Sequence, residues 1–303
     1  KPSSAASDVY KRQLRRRRRP PGHRHQGAVH DFGVVPTAAM RVAIAALTLL
    51  PWLFLRGQAG ALKRHWKAIA LAGLINPTIP FVVYAFALQS LTTGLAAILN
   101  ATTPLFGALI AWLWLRERLS RARVLGLLIG FAGVVALAWD KLGGSGDTGT
   151  GLAVLVCLLA PLMYGVGACF TQRYLRQVPS LPVAAGSLLS STALLALPAA
   201  WSWPATWPGA HAWTSVVAVG VLCTGFAYVI FFRLIDQIGS ARTLTVTFLI
   251  PVFAILAGVI WLDESITARM VICGLVILAG TTLSTGLLKL GWLERPQQPR
   301  GQA

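Results

Sequence analysis

A few side chains able to bind a polar ligand stand inside long apolar runs of this sequence. Arg41 lies roughly two helical turns into the first such run, Asn76 precedes Pro77 and Pro80, and Asn100, Thr102 and Thr103 precede Pro104. Thr243, Thr245 and Thr247 precede Pro251 in the same fashion. A polar group is costly in an apolar surrounding, so it either lines a cavity or is satisfied internally. Arg41 can fork two hydrogen bonds onto a substrate carboxylate, with snorkelling to the interface as the competing role. Asn76, just ahead of two prolines that remove helix hydrogen bonds, marks a substrate-facing break or a packing kink. Asn100, Thr103 and Thr247 are cavity-lining candidates, against plain interhelical hydrogen bonding. Tyr84, Tyr164 and Tyr228 add aromatic faces with a polar tip, and each serves equally well as packing. Pro77, Pro80, Pro104 and Pro251 are the hinge candidates.

Chemistry of other kinds is not encoded. There is no Gly-x-Ser-x-Gly, His-Glu-x-x-His or phosphate-loop pattern, so no catalytic residue, no metal ligand set and no cofactor is expected, and the chain does not read as an enzyme. Cys157, Cys169, Cys223 and Cys273 sit singly in apolar runs, without the spacing of a zinc site or a disulfide framework. Glu117 and Glu264 lie at the ends of apolar runs beside charged neighbours, which suits a structural turn better than a proton carrier. Arg233 and Asp236, three residues apart, are spaced for an ion pair on one helix face.

The elements that must position these residues follow from composition. Of 303 residues 55% are hydrophobic and 12% charged, and the mean hydropathy is +0.66. An ordinary soluble domain carries about 25% charged residues. A membrane-crossing helix needs about 20 mainly apolar residues. Nine runs meet that description, at 34–55, 67–89, 91–115, 121–139, 151–172, 181–201, 212–235, 240–262 and 268–288. The expected fold is therefore all-α and polytopic in the membrane. Lys and Arg are biased fifteen to two toward one set of alternate connections and the C-terminal tail. By the positive-inside rule that set, and the C-terminus, is cytoplasmic. The connection from Trp201 to Pro208, rich in Trp and Pro, reads as an aromatic interfacial loop.

A shift of 147 residues aligns the two halves without a gap. Trp66 falls on Trp213, Gly73 on Gly220, Pro104 on Pro251, and the Trp114–Glu117 stretch on Trp261–Glu264. Asn100 falls on Thr247, so a polar patch recurs in each half. The second half has five runs. An odd number per unit makes the units insert in opposite senses, the inverted-repeat plan of secondary transporters. The shift demands a partner for the 151–172 run near residues 4–25, where the sequence instead reads Leu14 followed by Arg15–Arg19 and two prolines. The expectation is two inverted five-helix repeats with nine of ten membrane helices present. The first thirty residues are expected to be a basic, non-native or disordered leader, better explained as solvated sequence than as a nucleic-acid patch. The units are drawn as 1–30 leader, 31–140 first repeat without its first helix, 151–288 second repeat and 289–303 cytoplasmic tail.

The segment from Asn76 to Trp139 resembles the EamA-type permeases of the drug/metabolite transporter superfamily. It carries Ala85-Phe-Ala-Leu-Gln-Ser-Leu-Thr-Thr-Gly-Leu-Ala-Ala-Ile-Leu, then Thr103-Pro104, Leu115-Arg-Glu117-Arg-Leu and Gly130-Phe-Ala-Gly133. The second half repeats the pattern as Ile250-Pro251 and Leu262-Asp-Glu264-Ser-Ile. The resemblance covers about residues 34–288. It implies a plasma-membrane permease for small metabolites such as amino acids or drug-like compounds, working by alternating access. It implies ten helices, of which the first helps line the cavity. The partners implied are a small-molecule substrate and membrane lipid, with no nucleic acid. The Gly126-x-x-x-Gly130 seam serves packing within the chain or a homodimer. The rival reading, of a different class, is a non-transporting fragment or interaction subunit that needs a partner helix.

Overall fold

The computed structural model describes residues 31–116, 120–143, 148–262 and 267–285. The 1–30 leader, the 289–303 tail, Glu117 and Glu264 lie outside them. Nine principal helices occur among the described residues, with no strand. They are α1 (Val34–Leu55), α2 (Trp66–Ala87), α3 (Thr93–Leu115), α4 (Arg121–Gly143), α5 (Thr148–Tyr174), α6 (Ser180–Trp201), α7 (Ala210–Ile238), α8 (Leu249–Leu262) and α9 (Ala268–Ser284). Six of them, α1, α2, α3, α5, α6 and α7, are long and apolar enough to cross a membrane. The expected nine spans are thus met in part. The 240–262 run is divided into a short helix Ser240–Thr243, a 3-10 turn Leu244–Phe248 and the 14-residue α8. Helix α9 has 17 residues, and α4 opens with the charged Arg121 and Arg123.

Local chemistry explains the boundaries. Thr92, Ser120 and Thr267 each accept a backbone N–H three residues on, at 3.3, 3.3 and 3.2 Å, and so cap α3, α4 and α9. Ser120 and Thr267 are partners under the 147-residue shift. Helix α3 stops at Arg116, which turns into the left-handed region (φ 55°).

Two helices carry π turns. In α2 the turn Leu74–Thr78 contains Pro77. Proline has no N–H for the Gly73 carbonyl, and the Thr78 hydroxyl donates to it instead at 2.7 Å. In α7 the longer π segment Val219–Phe226 spans the shifted position, with Thr224 in the place of Pro77. Here no proline removes a donor, and the Thr224 hydroxyl likewise donates five residues back, to the Val219 carbonyl at 2.9 Å.

The helices pack in pairs. Helix α1 packs on α6 and α4 on α9, α2 also contacts α6, and α7 also contacts α1. Gly73 presses α2 onto the Ser187 backbone of α6, where a Cβ would collide. Its shifted counterpart Gly220 presses α7 onto α1 at the Arg41 carbonyl, where a Cβ would stand 3.1 Å from that oxygen. The Gly126/Gly130 seam is occupied within the chain, because a Cβ on Gly280 of α9 would run into the Gly130 backbone. The outward faces are as apolar as the interior, with Leu47, Leu128, Leu222, Ile272 and Leu275 exposed. Such a surface is satisfied by lipid rather than water. The Trp-rich connection after α6 folds over Phe32, whose ring meets Trp213 edge-on at 4.9 Å, as an interfacial aromatic cluster does.

Candidate functional site

Helices α1, α2, α3, α5 and α7 converge on one buried polar and aromatic centre. Arg41, half-buried on α1, donates from Nε to Thr224 Oγ1 of α7 at 2.7 Å. Its guanidinium lies over the Phe81 ring of α2, 3.9 Å from the centroid. The Thr224 hydrogen goes to the Val219 carbonyl across the π segment, and the same oxygen accepts from Arg41. The side chain is therefore held between helices.

Four residues further along α7, Tyr228 meets Phe81 edge-on at 6.0 Å. Its hydroxyl is buried and makes no hydrogen bond. On the other side of the centre, Tyr84 of α2 lies against Tyr164 of α5, with ring centroids 6.4 Å apart and planes at 30°. Arg41 is within electrostatic reach of both Tyr164 and Tyr228. The Tyr84 hydroxyl donates to Asn100 Oδ1 of α3 at 2.6 Å. Thr103 donates to the Asn100 carbonyl at 2.6 Å and lies 3.1 Å from its Oδ1. Pro104, at the start of the second half of α3, accompanies the break in that helix at Ala101–Thr102.

Thus Arg41, Tyr84, Asn100, Thr103, Tyr164 and Tyr228 gather in one region. Asn76 sits two turns from Tyr84 in the π turn of α2, fully buried, with neither carboxamide atom hydrogen-bonded. It faces Gly167 of α5, where a Cβ would overlap the carboxamide. Pro80 follows on the same helix and is buried. Thr247 is also buried, but its hydroxyl donates back to the Leu244 carbonyl at 2.7 Å. It is not brought into the central group by any hydrogen bond. Pro251 lies on α8.

Sequence reasoning passed over Phe81, Thr224 and Gly167. Thr224 had a usable signal, since it is the shift partner of Pro77. Phe81 had none, being one apolar residue among many. Arg233 and Asp236 are both exposed and form no ion pair, correcting the expectation from their spacing. At the end of a helix two solvated side chains gain too little to hold one geometry. A separate cleft of about 420 Å3, lined by Arg64, His65, Gln177 and neighbours, opens between the Ala59–Arg64 helix and the α5–α6 connection. It shares no residue with the central group. Among the described residues no cluster of His, Cys, Asp or Glu could hold a metal ion.

The model of the EamA-like transporter family matches residues 25–139 and again 151–286. The chain belongs to this family. It is similar to the uncharacterized transporter YvbV of Bacillus subtilis (strain 168), 26% identical over 243 residues, covering 80% of this chain and 78% of that protein. It is similar also to the uncharacterized transporter YoaV of the same strain, 24% identical over 263 residues, covering 85% and 89%. A third relative is a probable terminal-alkyne amino-acid exporter of Streptantibioticus cattleyicolor, 26% identical over 254 residues, covering 83% and 84%. A solved crystal structure superposes with a TM-score of 0.66 at 22% identity, over 89% of this chain and 92% of the other. That likeness concerns the fold alone. The EamA membership and the apolar helices make this chain a membrane-embedded transporter.

Proposed function

We propose that the chain is a secondary active permease that moves small organic metabolites, amino-acid-like or drug-like, by alternating access. The observation that carries this reading is the convergence of Arg41, Tyr84, Asn100, Tyr164 and Tyr228 from five helices on one buried centre. Polar groups gathered at membrane depth mark a substrate path. The two halves act as inverted units that rock about this centre, the plan on which a midplane site lies between repeats. The in-register glycines, caps and π turns of the halves support that reading. Pro77 and Pro80 in α2, Pro104 in α3 and Pro251 in α8 are the bending points. Asn76 is the polar group that the α2 bend presents to substrate. Thr247 is the second half's counterpart of Asn100, with a smaller share because its hydroxyl is engaged by its own helix. The protein works in the plasma membrane, with the Arg- and Lys-rich connections and the C-terminus in the cytoplasm. The name of the Streptantibioticus relative lends weight to amino-acid-like substrates.

The test is uptake into proteoliposomes carrying the purified chain, with an imposed proton gradient and a panel of amino acids, organic acids and cationic dyes. The same assay is run on a version extended with an apolar first helix. Saturable uptake of a panel member, lost in Asn100→Leu at unchanged protein level, is the expected result. Uptake indistinguishable from empty vesicles with both versions would overturn the permease reading in favour of an interaction subunit. Normal uptake by Asn100→Leu would remove the site assignment.

A further inference from the structure

The central group contains a cation, Arg41, with no carboxylate bonded to it among the described residues. The Arg41 guanidinium uses Nε on Thr224 and lays one face on Phe81, while its two terminal nitrogens make no hydrogen bond. That outer edge is the one that matches a carboxylate with two parallel hydrogen bonds. The acids whose side chains are described are Asp31 and Asp236. Asp236 is exposed and twelve residues beyond Thr224, about 18 Å along α7. Asp31 is exposed and precedes α1. Arg41 is half-buried with this edge unused, and an anion that takes the edge completes its hydrogen bonding.

A second donor points the same way. Tyr228 is one turn beyond Thr224 on α7, is more than nine-tenths buried, and its hydroxyl has no partner. Arg41 is within electrostatic reach of it. The aromatic neighbours are Phe81, under the guanidinium, and the Tyr84–Tyr164 pair one turn further along α2. No described carboxylate is placed at the centre to hold an ammonium group.

We infer that, within the permease reading on which this rests, the centre selects organic carboxylates with an aromatic or aliphatic tail and rejects cations. The carboxylate takes the outer edge of Arg41 and a hydrogen bond donated by Tyr228. The tail lies against Phe81 and Tyr164.

The experiment is calorimetric titration of the purified full chain in detergent with three ligands of one shape: 3-phenylpropionate, its methyl ester and 2-phenylethylamine. The acid is expected to bind at least about tenfold tighter than either of the others, the scale of a charge-assisted hydrogen bond. Arg41→Gln should erase the preference. Arg41→Lys should keep its sign but weaken it, since the charge remains and the fork is lost. Tyr228→Phe should lower acid affinity by a smaller factor. Equal binding of ester or amine, or no binding of the acid, would overturn the inference on the unaltered protein, whatever the variants do to folding. Carboxylate binding with no uptake of any solute would overturn the transport reading alone. Uptake of amines or neutral solutes without carboxylate binding would overturn the selectivity alone.

Discussion

The α4–α9 pair and the Arg41 centre treat polar groups in opposite ways. On α9 the hydroxyls of Thr281, Ser284 and Thr285 all donate to carbonyls of their own helix, at 2.8, 2.9 and 3.0 Å. The helices then meet through Gly126, Gly130 and Gly280, backbone against backbone. At the centre, hydroxyls and amides reach across helices, as Tyr84 does to Asn100, or are left unmatched, as on Tyr228 and Asn76. A hydroxyl returned to its own backbone has no hydrogen left to donate to a ligand. An unmatched buried polar atom is a standing cost that folding alone does not explain. The difference separates a fixed brace from a site.

The comparison breaks most visibly at the brace. Gly280→Leu drives a branched side chain into the Gly130 backbone, which cannot yield as a flexible side chain would. Overpacking of this kind costs about 3 kcal/mol. Thermal unfolding of the detergent-purified protein should shift down sharply, and the monodisperse yield should fall. A normal melting profile would mean that α4 and α9 can separate freely and form no brace.

In the π turn of α2 the sign reverses. Asn76→Leu replaces an unmatched carboxamide by an apolar group of similar size, facing Gly167. Removing an unsatisfied buried polar group should raise stability by about 1–2 kcal/mol. Uptake in proteoliposomes should drop severalfold. Lower stability with intact uptake would return Asn76 to a purely structural role at the Pro77 kink.

The elements on both sides of this contrast are legible in the sequence. The apolar runs locate the helices because the bilayer leaves only span length and polarity to decide, and the shift of 147 pairs Gly73 with Gly220 across the halves. Arg41, Asn100 and the three tyrosines stood out because polar atoms are scarce there. What stayed hidden was hydrogen-bond direction. Thr247 and Thr224 look alike in sequence, each a threonine in an apolar run. One donates to Leu244 within its own helix and stops. The other donates to Val219 across a π turn and still accepts from Arg41. The turn that separates them depends on a backbone register of five residues, which no side-chain pattern encodes. The subdivision of 240–262 was hidden for the same reason, since a 3-10 turn in an apolar run keeps the hydropathy of a helix.

Tyr84→Phe sharpens the distinction at smaller scale. It deletes one donor to Asn100 while Thr103 stays close to the same oxygen, so the stability cost should be about 1 kcal/mol. Uptake should fall more than stability suggests, because the Asn100 carboxamide loses the contact that orients it from α2. Equal stability and equal uptake would detach Tyr84 from the site.

The smallest effect is expected for Thr247→Val, and it is the strictest test. Asn100 and Thr247 are partners under the 147-residue shift, both buried, both ahead of a proline. If position in the repeat decided function, the two would matter equally. If hydrogen-bond direction decides it, Thr247→Val loses only a bond to Leu244 within its own helix. The change should then cost about 0.5 kcal/mol, the low end for one lost hydrogen bond, with uptake close to the unaltered protein. A loss of uptake matching that of Asn100→Leu would show that the halves contribute symmetrically to the substrate path, and that the Thr247 hydroxyl leaves Leu244 during the transport cycle.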